Sequence, residues 1–229
     1  MGRKLAVEFV GTFFLVTTIG LAVGGAAGEL APLAIGSILM VMVYAGGHIS
    51  GAHYNPAVTL AILMRGLATP REVVGYWATQ IVAALAAAAV VAAVADATFS
   101  QIVPEIGPAL LAEALFTFAL AWVVLNVATA AGTKGNSYFG LAIGMTVLAG
   151  AYAVGAISGG AFNPAVAAGL AAMGIIAPGD LWIYLAGEVA GAAAAAALFV
   201  SLRLGDDKPT TATAAEQAAL RSPGAPERS

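Results

Sequence analysis

The chain alternates long apolar segments with short polar ones, and six of the apolar segments match the length of a membrane-spanning helix. An α-helix needs roughly 20 apolar residues to cross a hydrocarbon core of about 30 Å, and each segment comes close to that length. The pattern therefore predicts an all-α membrane protein with six transmembrane helices. The predicted spans cover residues 5–27, 32–47, 73–95, 109–131, 138–157 and 181–202.

Composition and charge support this prediction and orient it in the membrane. The 229 residues are 61% hydrophobic and 9% charged, with a mean hydropathy of +0.93, which exceeds what the wetted surface of a soluble domain can carry. With six spans, every basic residue falls on the side that holds both termini, and the positive-inside rule makes that side cytoplasmic. We therefore expect a multi-pass protein of the plasma or inner membrane. The basic residues are Arg3, Lys4, Arg65, Arg71, Lys134, Arg203, Lys208, Arg221 and Arg228, and the opposite loops carry Glu29, Asp96, Glu105 and Asp180.

A decapeptide occurs twice in the chain. ISGAHYNPAV at residues 49–58 returns as ISGGAFNPAV at residues 157–166, and the numbers of the two asparagines, 55 and 163, differ by 163 − 55 = 108. The pair EFVGT and EALFT, which begins at Glu8 and Glu113, keeps a similar offset of 113 − 8 = 105. The chain is therefore interpreted as a duplication.

The duplication predicts how the chain is organised. Its halves cover about residues 1–104 and 105–204, and each half contains three predicted spans. Because three is an odd number, the second half enters the membrane from the opposite side, which makes an inverted repeat. The polar tail, residues 205–229, is predicted to be disordered and cytoplasmic.

Each copy of the decapeptide predicts a re-entrant half-helix. Asn is a favoured N-cap and Pro is favoured at the first helical position, so a helix begins at each Asn-Pro-Ala sequence. The apolar runs that follow, residues 59–64 and 167–173, are too short to cross the membrane. About nine residues at 1.5 Å each reach roughly 13 Å, which is half of the core. The two half-helices therefore meet N-terminus to N-terminus near the midplane.

The meeting point predicts a polar path through the protein, because irregular backbone at that depth must be satisfied by protein or by a water-filled cavity. The side-chain oxygens of Asn55 and Asn163 can cap their own half-helices, which leaves the NH₂ groups as donors pointing into the path. The two helix N-termini also bring partial positive charge to the same place, and this charge disfavours protons and other cations.

These residues resemble the aquaporin and aquaglyceroporin family, the major intrinsic proteins. The similarity covers nearly the whole chain through AVEFVGT, GGHISGAHYNPAVT, AEALFTF, GLAIG and GGAFNPA, and the doubled Asn-Pro-Ala is its most specific part. The resemblance implies six tilted helices around one pore per subunit, a channel domain over residues 1–204, and a homotetramer. It implies that Glu8 and Glu113 accept hydrogen bonds from the half-helix loops and that His53 lines the inner vestibule. The pore motifs would be Asn55, Pro56, Ala57, Asn163, Pro164 and Ala165.

The expected selectivity filter departs from the family pattern. Most members follow the second Asn-Pro-Ala with Arg, whereas this chain has Val166, and the matching segments place the other filter positions at Ile35, Ala151 and Gly160. Such a filter is wide and almost without side-chain donors. Ala167 and the absence of aromatic residues at these positions argue against a dedicated glycerol channel. The filter is similar to that of bacterial aquaglyceroporins associated with arsenic resistance, which suggests water, glycerol-like polyols and metalloid acids such as arsenite as permeants.

Other functions are weighed against this interpretation. The chain has no Cys, and its two histidines, His48 and His53, have no carboxylate beside them in sequence, so neither an enzyme nor a metal or cofactor site is expected. Nothing indicates a nucleic-acid partner. A strictly water-selective aquaporin, an adhesion protein with a narrowed pore and a coupled secondary transporter remain alternatives, although coupling calls for ionisable groups beside the Asn pair. Glu188 in the sixth span has no partner that the sequence identifies.

Overall fold

A computed structural model describes residues 1–95 and 99–206, and within those ranges it contains six long α-helices and two short α-helices. The same ranges form no strand; Ile102 and Ile176 make an isolated parallel bridge. All six long helices are long and apolar enough to cross a membrane, which confirms the predicted fold class. The long helices are α1 (Gly2–Leu21), α2 (Ala31–Ser50), α4 (Pro70–Val94), α5 (Ile106–Thr129), α6 (Phe139–Ser158) and α8 (Leu181–Ser201); the short ones are α3 (Pro56–Met64) and α7 (Pro164–Ala172).

Some residues used in the sequence analysis lie outside the described part of the chain. These are Asp96, Lys208, Arg221 and Arg228, together with most of the predicted tail, residues 207–229. The proposed boundary between the two halves and the cytoplasmic location of the termini stay predictions.

Proline and glycine set several helix boundaries. α4 begins at Pro70 with a capping box, in which Thr69 Oγ1 accepts from the Glu72 N–H and Glu72 accepts from the Thr69 N–H. α2 and α6 end at Gly51 and Gly159, whose φ values of 88° and 90° form left-handed C-caps. α2 therefore extends three residues beyond the predicted end at residue 47.

The first helix differs from its prediction at the C-terminal end. Regular α-helix stops at Leu21, and residues Ala22–Ala26 form a wider π-helical turn that ends the first span. Gly25 has a φ of 111°, which breaks the helix before the predicted end at residue 27. At its other end, α1 begins at Gly2, before the predicted start at residue 5, because no residue between them breaks the helix.

Small residues let the long helices approach each other closely. A Cβ on Gly144 in α6 would collide with the carbonyl oxygen of Gly36 in α2, and one on Gly191 in α8 would collide with that of Ala114 in α5. Glycine at such contacts is typical of helix packing in membranes, where backbones must come close to gain van der Waals contact.

The polarity of the molecule is arranged for a lipid environment. Large apolar side chains face outward, for example Leu111 and Leu115, which lie four residues apart on one face of α5. The buried set, in contrast, includes polar and carboxylate side chains. Because such groups are costly inside a membrane unless they are hydrogen-bonded, their position marks the interior as the place of the functional site. They include Glu8, Asn55, Gln80, Glu113, Asn163 and Glu188.

Candidate functional site

The two half-helices are each nine residues long and begin at the prolines of the repeated motif. Asn55 and Asn163 are their N-caps, with extended backbone conformations. Asn55 Oδ1 accepts from the N–H groups of Ala57 at 2.8 Å and Val58 at 3.3 Å. Asn163 Oδ1 likewise accepts from the second and third residues after it, at 2.9 and 3.4 Å. Each asparagine therefore satisfies N–H groups of its own half-helix.

The amide nitrogens of the two asparagines join the two halves. Asn55 Nδ2 donates to the carbonyl oxygen of Phe162 at 2.8 Å, and Asn163 Nδ2 donates to that of Tyr54 at 2.8 Å. This corrects the expectation that both NH₂ groups are wholly free to face the path, because one N–H of each is used across the pair. An amide NH₂ carries two N–H donors, so one per asparagine remains.

The loop before α3 is held by a buried carboxylate of α1. Glu8 Oε1 accepts from Ser50 Oγ at 2.7 Å and from the His53 N–H at 2.9 Å, and Glu8 Oε2 accepts from the Tyr54 N–H at 2.7 Å. These are contacts of the kind that the resemblance implied for this residue.

The loop before α7 repeats the arrangement with a carboxylate of α5. Glu113 Oε1 accepts from Ser158 Oγ at 2.6 Å and from the Ala161 N–H at 3.1 Å, and Glu113 Oε2 accepts from the Phe162 N–H at 2.7 Å. Both carboxylates are fully buried and lie behind the loops. Buried backbone N–H groups that face no helix or sheet partner are thereby satisfied.

Two tyrosines that the sequence analysis missed complete these loops. Tyr76 Oη donates to the Ser50 carbonyl and Tyr184 Oη donates to the Ser158 carbonyl, both at 2.7 Å. The numbers of the two tyrosines differ by 184 − 76 = 108, which is the offset that separates the two asparagines. This repeat offset, applied to every polar residue in the spans, is the signal that finds them.

The hydrogen bonds hold the loops in a strained backbone conformation. Ala52, Tyr54 and Phe162 have φ values of 51°, 49° and 51°, in the left-handed region that residues with a side chain rarely adopt. Strain of this kind persists only where surrounding contacts enforce it, and it concentrates at functional sites.

One cavity of about 490 Å³ brings the predicted site residues together. It is lined by Asn55, Asn163 and His53, and by all four expected filter residues, Ile35, Ala151, Gly160 and Val166. Glu8 and Glu113 are not part of this lining and act through the loops instead. Within the described ranges, no Asp, Glu, Lys or Arg side chain lines the cavity. The path is therefore uncharged, with polar groups concentrated where the two half-helices meet.

Part of the cavity lining comes from residues for which the sequence analysis found no signal. These residues are Phe99, Ser100 and Ile102, from the connection between α4 and α5, and Val23, from the π-helical turn after α1. The Ile102 N–H donates to the Ile175 carbonyl at 2.8 Å, which holds this connection against the residues after α7. An aromatic side chain therefore does reach the cavity, although none occupies the four expected filter positions.

His53 lies at the side of the cavity beside the first loop. Its Nδ1 is 3.1 Å from Thr59 Oγ1, and its ring packs edge-on against Tyr76. Burial lowers the pKa of His53 below its ordinary value, and this effect outweighs the opposing influence of the Glu8 charge. The ring is therefore neutral at neutral pH.

Fold and site together define a class of protein: a helical membrane channel in which two capped half-helices, each begun by a copy of the repeated motif, meet beside an uncharged cavity. The chain belongs to the major intrinsic protein family, whose model, described as "Major intrinsic protein", matches residues 1–199. Members of this family are channels, so the protein is a transmembrane channel for water and small solutes rather than an enzyme.

Individual relatives agree with this assignment. The chain is 34% identical over 231 residues to "Probable aquaporin NIP-type" of Nicotiana alata, covering 96% of this chain and 84% of the relative. It is 35% identical over 218 residues to "Aquaporin NIP1-4" of Oryza sativa subsp. japonica, covering 90% and 79%. The fold is also similar to that of the aquaglyceroporin from Plasmodium falciparum, with a TM-score of 0.74, 19% identity, and coverage of 86% of this chain and 94% of the other.

Proposed function

We propose that the channel passes water and small uncharged solutes passively, including glycerol-like polyols, metalloid acids such as arsenite, and organoarsenicals. The observation that carries the proposal is the side chain at position 166. Val166 faces the same cavity as Ile35, Ala151 and Gly160, so these four residues offer a permeant no side-chain donor and no charge. A narrow filter with Arg discriminates between solutes by size and by hydrogen bonding. A filter made of these four residues is wide and has no side-chain donor, so it does neither.

Neutral solutes suit such a path better than ions do. An ion that sheds its water among apolar side chains loses a hydration energy that nothing there replaces, whereas a small polyol loses only a few hydrogen bonds. At the meeting of α3 and α7, the remaining N–H groups of Asn55 and Asn163 can donate to the oxygen of a passing solute. The partial positive charge of the two helix N-termini opposes cations at the same point.

The sharpest test changes position 166 and compares permeants. The purified protein is placed in proteoliposomes, and stopped-flow light scattering measures the flux of water, glycerol, urea and arsenite. Val166→Arg is expected to reduce glycerol and arsenite flux about tenfold or more, which corresponds to a barrier increase of about 1.4 kcal/mol or more. Water flux should fall much less, because a water molecule still passes a narrowed filter.

Val166→Met is the matched control, because it lengthens the side chain without adding charge or hydrogen-bond donors. It should slow solutes less than Val166→Arg does. Equal losses for all permeants in the Arg variant would contradict a filter at this position.

A parent protein that passes water alone would instead be a strictly water-selective aquaporin, and saturable flux driven by an ion gradient would make it a coupled transporter. Negligible osmotic swelling would favour the adhesion alternative.

We also propose that the protein is a homotetramer of the plasma or inner membrane with cytoplasmic termini and a channel domain over residues 1–204. Apolar side chains that cover the outer faces of the spans support the membrane setting. The chain has no Cys, so single cysteines can report topology. In intact cells, a membrane-impermeant maleimide should label Glu29→Cys and leave Gly2→Cys unlabelled, and the reverse pattern would overturn the orientation. Light scattering coupled to size-exclusion chromatography measures the oligomer.

A further inference from the structure

Glu188 in α8 is a buried carboxyl group that the channel function does not use. It is fully buried and is not part of the cavity lining. Its Oε1 accepts from the Asn163 N–H at 2.8 Å, at the start of the second half-helix. Its Oε2 has no hydrogen-bond partner among the residues that the structure describes. A buried oxygen without a partner is uncommon in folded proteins and calls for a physical reason.

The equivalent residue in the first half supplies that reason. Glu188 corresponds to Gln80 in α4, because 188 − 80 = 108 is the same offset that relates the asparagines and the loop tyrosines. Gln80 Nε2 donates to Glu8 Oε2 at 2.9 Å and to Thr59 Oγ1 at 3.2 Å. In the first half, therefore, this helix position provides a donor to the carboxylate that holds the loop.

The second half has one donor fewer at its own carboxylate. Glu8 Oε2 accepts two hydrogen bonds, from the Tyr54 N–H and from Gln80. Glu113 Oε2 accepts one from the described residues, from the Phe162 N–H. α8 also lies close to α5 at this level, since a Cβ on Gly187 would be 3.0 Å from Glu113 Cβ. Glu113 Oε2 can thus accept one more hydrogen bond, and Glu188 Oε2 on the neighbouring helix has no partner.

Two negative charges in this place would repel each other, and no basic side chain on the packed helices would compensate them. The helices packed around the pair bring no basic residue: α5 contributes only Glu113, while α3 and α7 have no titratable residue. On α8 itself the nearest titratable group is Tyr184, whose hydroxyl donates to the Ser158 carbonyl. Two carboxyl groups that share an apolar site normally hold one proton between them.

The hydrogen bonds decide which of the two carboxyl groups holds the proton. Glu113 receives three donors, from Ser158, Ala161 and Phe162, and this number favours its ionised form. Glu188 receives one donor, from Asn163, and keeps one oxygen free. These partners favour a proton on Glu188 and a negative charge on Glu113.

We propose that the carboxyl group of Glu188 is protonated and donates its O–H to Glu113 Oε2, replacing in the second half the amide donor that Gln80 supplies in the first. Glu188 is then a positioning residue. One of its oxygens holds the Asn163 N–H, and the other ties α8 to the carboxylate that holds the same loop. Glu188 thereby holds Asn163 directly, and Glu113 holds the loop before it, so that the N-terminus of α7 is kept in position.

Infrared spectroscopy tests the protonation state directly. Protonated carboxylic acids have a carbonyl stretching band that is separate from the bands of carboxylates and shifts in D₂O. The protein is measured at neutral pH in a detergent without ester groups, where exposed carboxyl groups are ionised. The parent should show such a band, and Glu188→Gln should lose it. A parent spectrum without a band that depends on Glu188 would overturn the proposal, whatever the permeants of the channel are.

Variants of matched length separate this role from a merely structural one. Glu188→Gln presents an acceptor to Asn163 and a donor to Glu113, so it should keep the thermal stability and the glycerol flux of the parent. Glu188→Met, of similar length but without polar atoms, should lose both. A Gln variant as impaired as the Met variant would show that a negative charge is needed and would contradict the proposal. In the first half, Gln80→Glu should add a second protonated-carboxyl band, and its absence would contradict the equivalence of the two positions.

Discussion

The loops that precede α3 and α7 have the same hydrogen-bond framework but different surroundings. In both, a buried glutamate accepts a serine hydroxyl and two backbone N–H groups, and an asparagine caps the half-helix and donates to the opposite loop. In both, the left-handed conformation is held at equivalent positions, Tyr54 and Phe162. The framework is therefore what the fold requires of either half.

The surroundings differ in polarity. The first loop has His53, Thr59 and Gln80 in contact with one another or with Glu8. At the positions that the repeat offset makes equivalent, the second loop has Ala161, Ala167 and Glu188. The contacts that shape the backbone are therefore the same in both halves. The side chains beside the cavity and behind it differ, and they give the two loops different chemistry.

The largest effect is expected from removing the shared framework. Glu113→Leu leaves Ser158 Oγ and the N–H groups of Ala161 and Phe162 without their acceptor. At about 1–3 kcal/mol for each buried unpaired donor, the loss of stability amounts to several kcal/mol. Glu8→Leu should cost at least as much, because it also removes one of the two acceptors of Gln80 Nε2. Thermal unfolding in detergent measures both losses of stability. An unchanged melting temperature for Glu113→Leu would show that the second loop does not depend on this carboxylate as the first loop depends on Glu8.

A smaller effect is expected from the asparagines. Asp caps a helix as well as Asn does, so Asn55→Asp and Asn163→Asp should fold. Each removes the NH₂ donor, leaves the opposite carbonyl unpaired and places a negative charge beside the cavity. We expect a loss of glycerol flux of about tenfold, equivalent to about 1.4 kcal/mol in the barrier. Swelling rates like those of the parent would argue against a donor role for the asparagines.

The tyrosines provide a finer test of equivalence. Tyr76→Phe and Tyr184→Phe each delete one hydroxyl that donates to a loop carbonyl at 2.7 Å. Each change should cost about 1 kcal/mol and lower the melting temperature by a few degrees. Because the two bonds are equivalent, the two shifts should match, and a large difference in calorimetry would show that the loops are held unequally.

The smallest effect concerns His53, which has no counterpart in the second loop. Its pKa is lowered by burial from 6.5, so the unfolded chain takes up a proton more readily than the folded protein does. The free energy of unfolding is therefore not reduced by this group above about pH 6.5, and it decreases as the pH falls below that value. His53→Gln should remove this dependence between pH 7 and pH 5, as followed by thermal unfolding. An unchanged pH profile would assign the dependence to other groups.

The sequence was sufficient for the fold because its signals are local or repeated. Span lengths follow from apolar runs, and the half-helices follow from Asn-Pro-Ala with too few apolar residues behind it. The bounds of α3 and α7 agree with that interpretation. The end of α1 was predicted too late, since hydrophobicity does not register the backbone break at Gly25.

The site was less accessible to sequence reasoning, for reasons of tertiary structure. Phe99 reaches the cavity through a loop without a repeat or a motif, and only the folded chain places it there. The use of one N–H from each asparagine across the pair likewise depends on the distance between two loops. Tyr76, Tyr184 and the match between Gln80 and Glu188 were within reach, because the repeat offset relates them.

The crossed bonds between the asparagines and the opposite carbonyls impose an order on biosynthesis. The acceptor for Asn55 Nδ2 belongs to Phe162, so the ribosome must add more than a hundred further residues before it exists. Until the loop before α7 has left the translocon, the first re-entrant segment lacks the acceptor for Asn55 Nδ2. Docking of the two segments is consequently a late event in the assembly of each subunit, and an isolated amino-terminal half cannot complete it.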